Sequence, residues 1–402
     1  MVIRPGYGRY YGEGQLGDLN APSDNYTQRS SLSSASFANL SFPIDAFIPL
    51  AGNVAVTPRG LDINRKDPVI DQWGLQVQTA LPGGFVLDTG YVGYHAYHQF
   101  TRTYVNLIDP ATGLRPLPAF GPIDVKNTSD NSHFEAWQTS LNRRFRSGLS
   151  FAANYMWSHG VNDGATGGGE ADYAENTTCR SCEVASADFD VRHMFTANAV
   201  YELPVGKGRA YVNRSGVADF ILGGWSLTGL GTARSGNPVN VILERSASSL
   251  LDGLSIQNGS SFQRPNYVGG VSAVPANQSI YNWINPLAFT GPAPSGISPW
   301  GNAGRNLVRG PRFMQLDMGL TKSFRVTERV AADFRAEAFN IANRAQFGEP
   351  SGDLGSLATD PKTGITTGLN PSFGHITTTV NNGSATGSGT PREFQFSLRM
   401  KF

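Results

Sequence analysis

The sequence contains no run of about 18 apolar residues, so it predicts no transmembrane helix. Charged residues are also scarce, at 16%, whereas roughly 25% is usual for soluble domains. The 32 basic residues nearly balance the 31 acidic ones, and no basic surface therefore indicates nucleic-acid binding. These absences argue against a helical membrane protein and against a nucleic-acid-binding protein.

The N-terminal stretch MVIRPGYGRYYGEG lacks the apolar core and the small-residue cleavage site of a signal peptide. It has the pattern of a β-strand instead. Two interpretations follow: a cytoplasmic protein, or the C-terminal part of a longer chain.

Cysteine is limited to Cys179 and Cys182, in the segment TTCRSCEV. A single Cys-x-x-Cys without a second pair or a nearby histidine cluster is a weak zinc signal. We interpret the pair as a local disulfide in a loop, with unpaired thiols as the alternative.

Patterns typical of catalysis are missing as well. The six histidines are scattered, and none has a metal-ligand spacing such as His-Glu-x-x-His. The glycine-rich stretch GATGGGEAD lacks the Lys-Ser/Thr of a phosphate-binding loop. We therefore expect no enzyme activity, no metal and no cofactor.

Alternation of apolar and polar residues is the strongest pattern that is present. It is clearest at the C-terminus, where the apolar positions are Phe394, Phe396, Leu398, Met400 and Phe402. About ten segments of about ten residues share this pattern. Such strands exceed the usual five or six residues of globular proteins and match the 9–11 that a tilted strand needs to cross a bilayer.

The connections between these segments alternate in length. Short ones are at 82–84, 146–148 and 325–329, with a longer one at 204–221. The long polar ones are at about 12–70, 95–132, 160–190, 235–311 and 341–391. This layout predicts an all-β fold, an antiparallel transmembrane β-barrel with short periplasmic turns and long extracellular loops. A soluble β-sandwich or propeller is the alternative.

Two sets of side chains have predicted positions in such a barrel. Seven aromatics are expected to form a girdle at the membrane interfaces: Trp73, Tyr91, Trp137, Tyr155, Trp157, Tyr201 and Trp225. Four charged residues are expected to face the lumen: Asp333, Arg335, Glu337 and Arg399.

A family resemblance rests on several stretches that occur in order along nearly the whole chain. They include VIRPGYGRYY, ADFDVRHMF, YELPVGKGR, LGGWSLTGLGTARSGNPVNV, WINPLAF, GNAGRNLVRGP, LTKSF, FRAEAFNIANRAQFG and PREFQFSLRMKF. Together they resemble TonB-dependent outer-membrane receptors, most closely the Oar-like barrel subgroup. The resemblance implies a barrel of about 22 strands, a plug domain inside it, and import driven by the TonB complex of the inner membrane.

Residues 1–402 show only about ten of those strands, and we identify in them no plug domain, TonB-contacting segment or signal peptide. We therefore expect the whole chain to be the C-terminal portion of the barrel, incomplete on its own. Contact with the TonB complex would then require the missing N-terminal part. The expected location is the bacterial outer membrane, with outer-membrane lipid around the strands.

The resemblance also assigns roles to particular residues. In that family an alternating last strand ending in Phe is the signal read by the barrel-assembly machinery, and the five C-terminal apolar residues match it. The alternative is that they only face lipid. Loop 235–311 carries aromatics that would suit a sugar or an aromatic chelator, although an ordinary exposed loop has the same composition; they are Tyr267, Tyr281, Trp283 and Trp300.

The predicted function is thus the barrel segment of a transporter that imports a nutrient, such as a siderophore, cobalamin, a glycan or a peptide. The alternative is a passive pore or a structural or adhesive outer-membrane protein.

Overall fold

The computed structural model describes residues 1–12, 58–107, 109, 112, 114–121, 123–164, 175, 179–244, 262–291, 301–325, 330–359, 366–381 and 389–401. No helix within these ranges is long and apolar enough to cross a membrane.

One antiparallel sheet dominates this part of the chain. Its main path has ten strands, which are β1 (Val2–Tyr11), β2 (Val69–Leu81), β3 (Phe85–Val105), β4 (Ile123–Arg146), β5 (Leu149–Asn162), β6 (His193–Glu202), β7 (Trp225–Arg234), β8 (Phe313–Arg325), β9 (Ala331–Phe339) and β10 (Glu393–Lys401). Each strand pairs with the next one along the path. A single meander of this size confirms the all-β fold and differs from the two packed sheets of a sandwich.

The smaller elements lie in the turns and long connections. The strand Arg59–Leu61 pairs with β4, and Ala185–Ser186 pairs with β5. Four further pairs are Pro238–Val239 with Val308–Arg309, Leu243–Glu244 with Phe262–Gln263, Asn266–Tyr267 with Phe289–Thr290, and Gly355–Thr359 with Thr366–Leu369. An α-helix α1 spans Val217–Leu222, and 3-10 turns span Pro82–Gly84, Arg180–Glu183 and Pro286–Ala288.

The pairing register sorts side chains onto two faces, because residues directly opposite each other in neighbouring strands share a face. One row across β6 to β10 is apolar throughout: Tyr201, Leu227, Leu320, Ala336 and Phe396. The next row, one residue along each strand, is polar throughout: Glu202, Ser226, Thr321, Arg335 and Ser397. The alternation in the sequence therefore becomes one apolar face and one polar face.

Glycine is required at the tight turns of the short-turn end. In the turn between β2 and β3, Gly83 and Gly84 have φ values of 77° and 79°. In the turn between β4 and β5, Gly148 has a φ of 80°, and a Cβ there would lie 3.0 Å from the carbonyl oxygen of Glu202. Residues with a Cβ adopt this left-handed region at a steric cost.

Strands β3 and β4 are longer than the sequence pattern predicts, with 21 and 24 residues. Their outer ends lie within the predicted loop 95–132, where a bulge after Ala96 interrupts the simple alternation. Pairing nevertheless continues to Val105 and Ile123. A buried ion pair between Arg102 and Asp124, 2.5 Å apart, joins the two extensions.

The sheet is open within the described strands. There, β1 pairs only with β2 and β10 pairs only with β9 along the main path, and no ladder joins β1 to β10. Each of these two strands therefore has one edge without a strand partner among the described residues.

The long connections build a second region, at the end of the sheet opposite the short turns. Residues from the β7–β8 and β9–β10 connections form an apolar cluster that we call the loop core: Val239, Val241, Leu243, Ala273, Ile284, Ala288, Phe289, Ala303, Val308, Leu354, Leu357 and Phe373. The long connections thus pack on one another as a soluble domain does.

Candidate functional site

The predicted aromatic girdle lies on the apolar face at two levels. Five members are on β2 to β5, and a single row contains Tyr91, Trp137 and Trp157. The other two, Tyr201 and Trp225, lie near the short-turn end, on β6 and β7.

The register gives the separation of the two levels. Tyr201 pairs with Leu149 at the start of β5, and Trp157 follows Leu149 on the same strand. Eight residue steps of about 3.3 Å span about 26 Å along the strand. After a tilt of 35–45°, the height is about 20 Å, comparable with the ~25 Å apolar band of outer-membrane barrels.

Beyond the upper aromatic level the same face becomes polar. Asp71 accepts hydrogen bonds there from Tyr7 (2.8 Å), Arg9 Nε (2.7 Å) and Tyr97 (2.6 Å). Tyr7 lies opposite Trp73, and Arg9 lies opposite Asp71. This cluster marks where the apolar band ends. Sequence reasoning missed it, although an aspartate at an apolar position of the alternation is a detectable signal.

The four charged residues predicted to face the lumen share the polar face of β9 and β10. Arg335 pairs with Glu337 at 2.7 Å. Asp333 lies opposite Arg399 in the register and pairs with Lys401 at 2.7 Å. Lys401 is thus a further charged residue of this face that sequence reasoning did not single out.

The apolar residues of strand β10 are exposed, as are the polar residues between them. Phe394, Phe396, Leu398 and Met400 are 62%, 66%, 64% and 50% exposed. The last residue of the predicted assembly signal, Phe402, lies outside the described residues.

A disulfide joins Cys179 to Cys182, with the Cα atoms 5.4 Å apart. Directly after it comes Glu183, which is 2% exposed and accepts hydrogen bonds of 2.6 and 2.9 Å from the Arg264 guanidinium. Glu175 lies 2.8 Å from Arg264 Nε. Burial lowers the pKa of Arg264, but its hydrogen bonds to Glu183 and the two carboxylate charges outweigh burial, and the pKa is raised. The charged form therefore ties the disulfide segment to the β7–β8 connection.

Three residues of the segment GNAGRNLVRGP make further links to this region. Arg305 donates to the carbonyl of Asn162 at 2.9 Å. Asn306 donates to the carbonyl of Ser186 at 2.7 Å. Arg309 forms an ion pair with Asp190. These contacts attach the loop core to the upper end of β5. The sequence alone did not indicate which residues the arginines would pair with.

The aromatics of the predicted ligand loop occupy different environments. Tyr267 and Trp283 are partly buried against the loop core, and Trp283 Nε1 donates to the carbonyl of Arg309 at 2.8 Å. Tyr281 is 72% exposed and packs edge-on against His375, with ring centroids 6.0 Å apart. Trp300 lies outside the described residues.

Among the residues that the structure describes, no group of three or more His, Cys, Asp or Glu is placed to hold a metal ion. The features described so far are a wall with one apolar and one polar face, the aromatics at its two levels, and the packed loops at one end.

Comparison with known proteins places this arrangement in a family. No curated protein sequence matches the chain. Among solved structures, the outer membrane transporter YddB from Escherichia coli is similar at a TM-score of 0.43 and 11% identity, covering 100% of this chain and 38% of that one. The ferripyoverdine receptor of Pseudomonas aeruginosa gives 0.38 and 9%, covering 84% and 27%. The ferric-catecholate import receptor Fiu from E. coli gives 0.38 and 10%, covering 99% and 32%.

This chain thus spans between 27% and 38% of the length of those three structures, and likenesses this weak carry no argument about function. The family model for the outer membrane beta barrel domain, by contrast, matches residues 1–395. The location of this protein is accordingly the bacterial outer membrane, and the chain belongs to the outer membrane beta barrel domain family.

Proposed function

We propose that this chain is the C-terminal wall segment of a TonB-dependent transporter, which imports a nutrient such as a siderophore, cobalamin, a glycan or a peptide. The observation that carries the proposal is the open meander, in which β1 and β10 each have one strand partner among the described strands. An unpaired strand edge in lipid costs several kcal/mol for each unsatisfied backbone group. Further strands between β1 and β10 would remove that cost.

The sequence stretches that resemble TonB-dependent receptors support the same proposal. In this proposal the polar face lines the lumen, where the row of Arg335 and Glu337 meets either water or a plug domain. Coupling to the TonB complex belongs to a part of the transporter outside this chain. The alternative is a passive pore or a structural or adhesive protein formed by these strands alone.

Two measurements on the isolated chain separate these functions. After refolding in detergent, we expect its electrophoretic mobility to be the same before and after boiling. An open sheet does not form the closed, compact barrel that stays folded in the gel detergent until it is boiled. We expect no steady conductance when it is added to planar lipid bilayers. Heat-modifiable migration together with steady single-channel conductance would support the passive pore and contradict the transporter segment.

We also propose that the last strand is read by the barrel-assembly machinery. Exposed apolar residues at alternate positions of an edge strand suit recognition by strand addition, in which backbone bonds give affinity and alternate side chains give specificity. Deleting Phe402 from a full-length receptor that contains this segment should lower its outer-membrane level. A matched control is Arg399→Ser, on the polar face of β10. Unchanged levels after the deletion would contradict the assembly role.

A further inference from the structure

A cavity of about 1090 Å³ lies where the apolar face of the sheet meets the long connections. Tyr155, Phe195 and Met314 of β5, β6 and β8 contribute to its lining. They are 40%, 42% and 50% exposed. Trp283 and Leu307 of the β7–β8 connection also line it. The cavity is therefore bounded both by the membrane-facing wall and by the loops.

Three arginines in the cavity lining have no acidic partner within the part of the chain that the structure describes. Arg234, Arg312 and Arg344 line the cavity, and none forms an ion pair with a carboxylate among the described residues. The Arg234 guanidinium donates to the Asn237 side chain at 2.7 Å and lies 5.7 Å from the centre of the Phe313 ring. Arg344 contacts the sulfur of Met314 at 3.5 Å.

The lining is one-sided in charge. No aspartate or glutamate is among the lining residues that the structure describes. Arg309, which also lines the cavity, is neutralised by Asp190. The three remaining arginines therefore leave positive charge beside an apolar surface, a combination that favours an anion with a hydrocarbon part.

The position in the membrane identifies the source of such an anion. Tyr155 belongs to the upper level of the aromatic girdle, and Phe195 lies opposite it on the same face. Arg312 lies two residues before Met314 of this face, and Arg344 contacts the Met314 sulfur. Arg234 and Phe313 lie opposite each other on the polar face, at the long-loop ends of β7 and β8. The apolar part of the cavity thus continues the lipid-facing wall, and Arg312 and Arg344 lie where lipid headgroups begin.

We propose that this cavity binds one phosphorylated lipid of the surrounding leaflet. Its acyl chain would lie over Phe195 and Met314, and its phosphate would accept hydrogen bonds from Arg312 and Arg344. The site depends on the membrane location of the chain and not on nutrient transport, so it holds for a transporter segment and for a passive pore alike.

Native mass spectrometry of a full-length outer-membrane protein that contains this segment, purified from outer membranes in mild detergent, tests this site. The protein is titrated with phosphatidylglycerol, with phosphatidylcholine of the same acyl chains, and with inorganic phosphate. We expect one phosphatidylglycerol per chain to be retained in preference to phosphatidylcholine. The double variant Arg312→Gln, Arg344→Gln should weaken phosphatidylglycerol binding about tenfold or more and leave phosphatidylcholine binding unchanged.

The matched control is Arg392→Gln. Arg392 is an exposed arginine just before β10, 5.8 Å from the Phe394 ring centre, and it does not line the cavity. The Arg392→Gln variant should keep the wild-type preference for phosphatidylglycerol over phosphatidylcholine. Equal retention of the two lipids by the wild type, or equal losses in the control and the double variant, would overturn the proposal.

Two further results are decisive in the same experiment. Displacement of phosphatidylglycerol by millimolar inorganic phosphate would identify a site for soluble anions and contradict the lipid site. If the double variant loses its resistance to proteolysis, Arg344→Gln alone and the wild-type lipid preference decide the question.

Discussion

The wall and the loop core belong to one chain but face different solvents: lipid surrounds the wall, and water surrounds the loop core. In the wall, Leu398 is 64% exposed on the apolar face of β10, and the strands are held by their hydrogen-bonded ladders. In the loop core, Leu243 and Leu354 are 0% exposed and Ile284 is 1% exposed. The hydrophobic effect acts in water on the loop core, whereas lipid is as apolar as the wall that faces it.

The two regions also treat charge differently. Polar residues of the wall lie in rows on one face, where Arg335 is 50% exposed beside Glu337. In the loops, Arg264 and Glu183 form an ion pair with side-chain exposures of only 6% and 3%. The loops therefore depend on particular buried partners, and the wall depends on which face a residue occupies. Substitutions that act on one of these features should leave the other region intact.

The largest expected effect comes from Arg264→Met. Removing the guanidinium leaves the buried Glu183 carboxylate without its two hydrogen bonds from Arg264, and such a change costs about 3–5 kcal/mol. We expect faster hydrogen exchange and faster proteolysis in the segment around residues 179–190 and in the β7–β8 connection. Exchange in the strand ladders should be unchanged.

The control for that experiment is Arg209→Met. Arg209 pairs with Glu202 at 2.6 Å, but the side chains are 45% and 35% exposed. Exposed pairs contribute about 0–1 kcal/mol, so this variant should behave as the wild type. Equal effects of the two substitutions would show that burial does not distinguish the loop pair.

A matched pair of leucine truncations compares the regions directly. Leu243→Ala removes a fully buried side chain and should destabilise the loop core by about 2–5 kcal/mol, through lost burial and the cavity left behind. Leu398→Ala removes an outward-facing side chain of β10 and should cost less than about 1 kcal/mol in the membrane. Urea-dependent proteolysis in liposomes gives both values. A larger loss from Leu398→Ala would mean that something other than lipid packs on β10.

How far the sequence predicts this structure differs between the same two regions. Alternation with period two specifies which face each residue of β10 occupies, because the pleat has the same period. The faces, the short turns and the order of the strands therefore follow from local pattern. The wall was predicted in this way, except for the extensions of β3 and β4 beyond Ala96, where a bulge hides the period.

The loops have no comparable period. Trp283 is a candidate ligand contact in the sequence, and no period in the sequence indicates that it packs against the loop core and donates to the carbonyl of Arg309. Arg264 and Glu183 are 81 residues apart in the chain. Such pairings depend on tertiary packing, which single-sequence patterns do not encode. The cavity beside Arg312 and Arg344 was missed for the same reason.

The two faces of the wall can be separated with neighbouring residues on β5. Ala153 lies opposite Leu141 and Ala197 on the apolar face, midway between Leu149 and Trp157. Ala153→Arg should cost about 2–4 kcal/mol, because a charge on the lipid face at mid-depth is poorly solvated. Asn154→Arg, on the polar face, should change the free energy of unfolding little. Folding titrations into lipid vesicles measure both, and equal costs would contradict the assignment of faces.

The smallest expected effect is that of Cys182→Ser. The disulfide closes a loop whose cysteines are separated by three positions, and in the chain-entropy model so short a loop contributes about 2 kcal/mol or less. Because Glu183 follows directly and is held independently by Arg264, we expect looser exchange at 179–182 while the Arg264 contact persists. Hydrogen exchange measured with and without reductant checks this. If reduction loosens the loop core as much as Arg264→Met does, the disulfide and not the ion pair is what holds this segment to the loops.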